Sequence, residues 1–151
     1  MTFKLEGSYY GINILGIREI NYNLGFTPVP LAQTHIVGLL NLRGQIVTVF
    51  DAAIPLGYPR RDVTQNSSLL IMKTDAELSP VARRDGVTTH ADQVGLMVDE
   101  IGDVIGCDHT EIEPVPAHAE GNVAKFLEGV VKHGDDLIGV INVPELLKYS
   151  A

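Results

Sequence analysis

The chain has 151 residues, 45% of them apolar, a formal charge of −8 and no tryptophan. That length suits one domain with a substantial aliphatic core, and no apolar run reaches the roughly 20 residues a helix needs to span a bilayer. The acidic surface repels phosphate backbones and anionic headgroups, which argues against nucleic acid or a membrane surface as partner.

Phe3-Lys4-Leu5-Glu6 alternates as a strand does, so a strand is expected over 2–6 in place of a cationic-then-apolar leader, and with it a cytoplasmic protein. A second strand is expected over 9–20. Pro30-Leu31-Ala32-Gln33-Thr34-His35 allows one helical turn. Two apolar runs of strand length, 36–42 and 45–50, flank the turn chemistry of Asn41 to Gly44 and predict a β-hairpin. Arg43 then sits on the turn. A hairpin tip needs glycine or asparagine for its backbone, but nothing in it requires a guanidinium that costs entropy to hold, so Arg43 is the first candidate for function.

Asp51 to Leu56 allows another helical turn, and 68–73 reads as a strand. Residues 74–93 are polar, carry proline and glycine, and show neither the helical nor the strand period, which predicts a long surface loop. Its Arg83 and Arg84 offer a partner contact, although a tolerated insertion explains the composition as well. A strand is expected over 94–105. The lone cysteine, Cys107, cannot form an internal disulfide and is expected as a small buried thiol after Gly106. Strands over 126–132 and 137–142 follow. Pro144 then opens a short helix to Lys148, in the first-turn position proline favours.

The two halves repeat faintly. Gly11-Ile12-Asn13-Ile14 through Ile20 aligns without a gap on Gly95-Leu96-Met97-Val98 through Val104, and Pro28-Val29-Pro30 finds Pro114-Val115-Pro116. Gly38 with Ile46-Val47 and Val49-Phe50 finds Gly129 with Leu137-Ile138 and Val140-Ile141. The offset drifts from 84 (Gly11 to Gly95) through 86 (Pro28 to Pro114) to 91 (Gly38 to Gly129), as two similar units with different loops would give. Each unit is too small for a large sandwich, so an all-β fold of two small barrels is expected, closure being the economical way to remove sheet edges.

No local signature of catalysis is present. His35, His90, His109, His118 and His133 never pair at metal-binding spacing, and His109-Thr110-Glu111 and His118-Ala119-Glu120 are isolated polar groups. There is no nucleophile elbow, Walker loop or dinucleotide fingerprint. Neither cofactor nor metal is expected, and a scaffold fits better than an enzyme.

The ordered motifs resemble the CheW family of chemotaxis adaptors. They are Phe3-Lys4-Leu5, Tyr10-Gly11-Ile12-Asn13-Ile14, Ile17-Arg18-Glu19-Ile20, Val29-Pro30 and Gly38 through Ile46, then Val94 to Asp99, Ile112-Glu113-Pro114, Phe126-Leu127-Glu128-Gly129 and Leu137 to Leu147. The resemblance covers nearly the whole chain. It implies a single domain over 1–151, built of two SH3-like five-stranded barrels that share a core with a groove between them. It also implies a non-enzymatic adaptor that couples the cytoplasmic tip of a methyl-accepting chemoreceptor to a CheA-type histidine kinase at membrane-associated receptor arrays.

Receptor contacts are implied at Ile17, Glu19, Gly38, Asn41 and Arg43. Arg43 either forks a receptor carboxylate or pairs internally with Glu19, and the sequence leaves both open. Kinase contacts are not derivable, though aliphatic strand ends near Ile12, Ile14 and Leu15, or those of the second unit, could meet the kinase's similar regulatory barrel. The chain departs from the family pattern at Thr48, where proline is common, and at Ala52-Ala53, where Leu-Arg often stands. Those departures and the long loop keep open an adaptor for a pilus-motility array. A β-barrel binding module unrelated to chemotaxis is the rival reading, and an enzyme comes third.

Overall fold

Tight turns that force the backbone to positive φ set the local hairpins of this chain, and two changes of sheet set everything else. The computed structural model describes residues 1–22, 25, 27–29, 35–59, 63–116 and 121–148. Within them the strands are β1 (Thr2–Leu5), β2 (Ser8–Gly11), β3 (Ile17–Asn21), β4 (Ile36–Leu42), β5 (Gln45–Asp51), β6 (Ser68–Met72), β7 (Val94–Val98), β8 (Glu100–Ile101), β9 (Leu127–His133) and β10 (Asp136–Ile141). The α-helices are α1 (Pro80–Arg84) and α2 (Val143–Leu147).

The strands form two five-stranded sheets, ordered β8-β1-β2-β10-β9 and β3-β6-β7-β5-β4. Both follow one pattern: a first edge strand, two antiparallel neighbours, a parallel step from β2 to β10 or from β7 to β5, and a closing antiparallel hairpin. The register obeys the repeat read from sequence. Gly11 lies beside Val140 as Gly95 lies beside Val49. The isolated bridge Thr27 to Leu39 recurs as Glu113 to Val130.

The units are not separate sheets, however. β1 and β2 pair with β8, β9 and β10, whereas β6 and β7 pair with β3, β4 and β5, so each sheet takes two strands from one half of the chain and three from the other. The runs 9–20 and 94–105, expected as single strands, are where the chain crosses. After β2, Asn13 accepts a hydrogen bond from Leu15 N at 3.0 Å and caps a 3-10 turn over Ile14–Gly16. After β7, Asp99 N donates to Lys4 O at 3.1 Å while its Oδ2 accepts from Glu6 N at 2.7 Å, which pins the second crossing to the β1–β2 turn. Apolar patterning continues through both crossings, with Ile12 and Ile17 buried on either side of the first and Val98 buried before the second.

The expected all-β class holds. The SH3-like barrel describes each sheet loosely, since among the described residues β3 and β4 end the second sheet without a ladder between them. One apolar cluster lies between the sheets and includes Phe3, Leu5 and Ile12 from the first, Leu70, Leu96 and Val98 from the second, and Phe126, Val143 and Leu146. A second cluster fills the concave side of the second sheet with Leu40, Leu42, Val47, Val49, Leu69, Ile71 and Met97. Each such side chain withdrawn from water contributes about 1.5–3 kcal/mol before entropy is counted.

Residues 74–93 carry more structure than a loop. Thr74 and Glu77 form a capping box around a 3-10 turn, Ser79 Oγ accepts from Ala82 N at 3.1 Å to start α1, and Leu78 and Ala82 are buried. Thr74 bridges back to His90 and closes the excursion. Asp51 to Leu56 forms hydrogen-bonded turns in place of a helical one, with Leu56 N donating to Ala53 O at 3.1 Å. Cys107, expected to be buried, is exposed. The turn expected over 30–35 falls on residues 30–34, outside the described residues, as do Pro30 and His118-Ala119-Glu120.

Candidate functional site

Leu42 pairs with Gln45 to close the β4–β5 hairpin, leaving Arg43 and Gly44 as a two-residue turn with φ of 52° and 84°. Two positive φ values mark a type I′ turn, a conformation glycine and asparagine adopt readily and a residue with a long side chain does not. The equivalent turn between β9 and β10 carries Gly134, φ 61°, where the first carries Arg43. Arginine is therefore kept at a position where the backbone alone would choose otherwise. Asn41 shapes the same turn, its Oδ1 accepting from Gly44 N at 3.0 Å.

Arg43 Nη2 donates to Glu19 Oε1 at 2.5 Å. Glu19 belongs to β3, the opposite edge of the sheet from β4, so this pair draws the two free edges together across an open seam. Arg18 assists beside it, with Nη1 donating to Gln45 Oε1 at 3.4 Å and lying 3.6 Å from Glu77 Oε2. The Arg43 hydrogen bond holds the Glu19 carboxyl below its usual range and raises the guanidinium in turn. Glu77 is held low chiefly by the Thr74 backbone N–H.

Leu40, Leu42, Val47 and Val49 point into the sheet, so strand alternation puts Leu39, Asn41, Ile46 and Thr48 on its outer face. Ile46 is 58% exposed and lies opposite Asn41. The hairpin thus presents exposed aliphatic surface beside an ion pair. Leu39 and Ile46 were not singled out from sequence, although the two-residue period of the hairpin was the signal that places them outside.

Of the five residues named from sequence, the structure brings Glu19, Asn41 and Arg43 to one exposed corner. Ile17 turns into the core between the sheets, and Gly38 is buried in β4 opposite Val49. Ile12 is buried, whereas Ile14 is exposed beside Leu15 at the first crossing. Ala52 and Ala53 are fully buried and pack in the shared core. Among the described residues no group of histidine, cysteine, aspartate and glutamate side chains could hold a metal ion, and no helix is long and apolar enough to cross a membrane.

A family model described as the CheW-like domain matches residues 1–151. The chain is 28% identical over 147 residues to Chemotaxis protein CheW of Bacillus subtilis, covering 97% of this chain and 85% of that protein. It is 27% identical to Chemotaxis protein CheW of Helicobacter pylori, covering 97% and 79%. The crystal structure of scaffolding protein TtCheW from Thermoanaerobacter tengcongensis superposes with a TM-score of 0.79 at 27% identity, over 99% of this chain and 91% of that one. A match running the whole length of the chain, on a fold shared with a scaffold of that name, makes this chain a member of the CheW-like domain family.

Proposed function

We propose that this chemotaxis scaffold binds the cytoplasmic tip of a chemoreceptor through the β4–β5 corner and a CheA-type histidine kinase through a separate surface, and transmits signal without making or breaking a bond. The observation that carries the reading is the Glu19–Arg43 pair, held on a strained turn beside the exposed Ile46. A receptor tip is a helical hairpin, and an exposed aliphatic strip flanked by fixed charges suits a helix laid against it. Glu19, Asn41 and Arg43 meet the receptor in this reading, while Ile17 and Gly38 support the corner from beneath. The aliphatic ends at Ile14 and Leu15, at the other side of the strand crossing, are free for the kinase. The protein works in the cytoplasm, at receptor arrays.

The test is reconstitution from purified parts. The chain is mixed with the kinase and with receptor cytoplasmic fragments from its own cells, and sedimentation reads which components travel together. Co-sedimentation of all three only when the chain is present supports the proposal. A chain that binds neither partner overturns it and leaves a binding module with another role.

A further inference from the structure

The concave side of the second sheet is filled, whereas its counterpart in the first sheet is hollow. Register equates Ile71, beside Gly95, with Thr2, beside Gly11, and the sequence repeat that aligns Gly11 with Gly95 puts Asn13 where Met97 stands. Two large apolar side chains that plug the second sheet are therefore replaced in the first by short polar ones. The result is a half-open cavity of about 480 Å³, walled by Val131, Ile138 and Val140, the counterparts of Leu40, Val47 and Val49. That volume lies in the range of small-ligand sites, which typically run about 300–1,000 Å³ with apolar walls and a few polar groups.

The polar groups of this wall favour one sign of charge. Asp85 is already engaged by both oxygens, Oδ1 accepting from His109 Nε2 at 2.7 Å and Oδ2 from Asn13 Nδ2 at 2.8 Å. Glu128, which also lines the cavity, has no hydrogen-bond or ion-pair partner among the described residues. Burial desolvates the carboxyl and raises it above its usual range, against the opposing pull of His109. Asp108 adds a further negative charge, and among the described lining residues no lysine or arginine answers it; His109, the basic side chain of this wall, is already held by Asp85. The Met1 ammonium is committed to Ile12 O at 3.1 Å.

We propose that this cavity binds a small amphiphilic amine, its aliphatic body against Val131, Ile138 and Val140 and its ammonium on the Glu128 carboxylate. An ammonium supplies three donors and a charge where the wall offers a carboxylate that makes no hydrogen bond among the described residues, and the aliphatic part occupies volume that in the second sheet is occupied by the protein itself. Anionic amphiphiles of the same length are rejected by the three carboxylates.

Calorimetric titration with n-octylammonium chloride below its micellar range tests this, with sodium octanoate as the matched anion. Saturable binding of octylammonium is expected, with no heat of binding from octanoate and affinity for octylammonium about tenfold weaker in Glu128→Gln. Glu128 makes no hydrogen bond or ion pair among the described residues and glutamine has nearly its shape, so that variant keeps the fold. Cavity filling by Ile138→Phe, checked by circular dichroism, abolishes binding. Equal binding of both amphiphiles, no saturable binding by either, or an unchanged affinity in Glu128→Gln overturns the proposal. Capture at this cavity of a leucine-lysine peptide by a protein that ignores octylammonium would assign the site to a protein partner and overturn it equally.

Discussion

Arg43 and Glu19 face each other across the unladdered seam of the second sheet, and Arg43 does so from a backbone conformation that suits glycine. The pair is exposed, so its own contribution to stability is small. Arg43→Gly relaxes the turn as it removes the guanidinium. The variant is expected to melt no earlier than the native chain while its affinity for a receptor fragment falls roughly ten- to hundredfold. Thermal scans and calorimetric titration read the two effects separately. Exchanging the charges, Glu19→Arg with Arg43→Glu, then distinguishes roles: a bracing pair recovers binding in the double variant, and a guanidinium that touches the receptor does not.

The Asp85–His109 contact ties the end of α1 to the segment that follows β8, and it is expected to depend on pH. Hydrogen bonding to Asp85 raises His109 above its ordinary 6.5, with Asp108 and Glu128 adding, while His109 and then Asn13 hold Asp85 below its ordinary 3.8. The histidine part of the contact is fully present below 6.5 and lost as pH rises through the raised value. The aspartate part is present above 3.8 and lost as pH falls through the lowered one. An NMR titration of the His109 ring is expected to show the raised value in the native chain and a return toward 6.5 in Asp85→Asn. A ring already at its ordinary value in the native chain would remove the contact from solution.

Gly129 allows a close approach that no other residue would. A Cβ there would stand 2.5 Å from Glu113 O and 2.6 Å from Ile112 Cγ2, inside the bridge that covers the β9 edge. Gly129→Ala is expected to lower stability by about 1–3 kcal/mol, as overpacking does, read by denaturant unfolding. Gly38 stands at the equivalent place before the Thr27–Leu39 bridge.

The filled and hollow sheets should respond unequally to truncation. Ile71→Ala opens a void in a closed cluster and is expected to cost about 2–5 kcal/mol. Ile138→Ala enlarges a space that is already open to solvent, forfeits fewer close contacts and is expected to cost less. Equal losses in paired unfolding curves would mean that the cavity closes in solution.

The β4–β5 hairpin, its turn and the repeat were legible because apolar alternation, turn residues and spacing are local signals. Which copy a strand joins is not local. Little in residues 9–20 or 94–105 announces that the chain changes sheets, because aliphatic residues continue on both sides of each crossing. Only Asn13 and Asp99, short polar residues within apolar runs, mark the places. In 74–93 the start signal was present, a serine before a proline, but five residues of helix leave no periodicity to detect. The Glu19–Arg43 pairing stayed open because it spans the closure of a sheet, a distance set by curvature that strand order alone does not determine.

The exchange of strands between halves also dictates an order of events during synthesis. The second sheet draws on residues from Ile17 to Val98 and can assemble once those have emerged from the ribosome. The first begins with Thr2 and must wait for Ile141. Throughout that interval the β1–β2 hairpin holds out an edge whose partner does not yet exist, a ready template for pairing with a neighbouring nascent chain. Rapid translation through β9 and β10, or a chaperone on the hairpin, therefore protects this fold more than extra stability in the finished protein would.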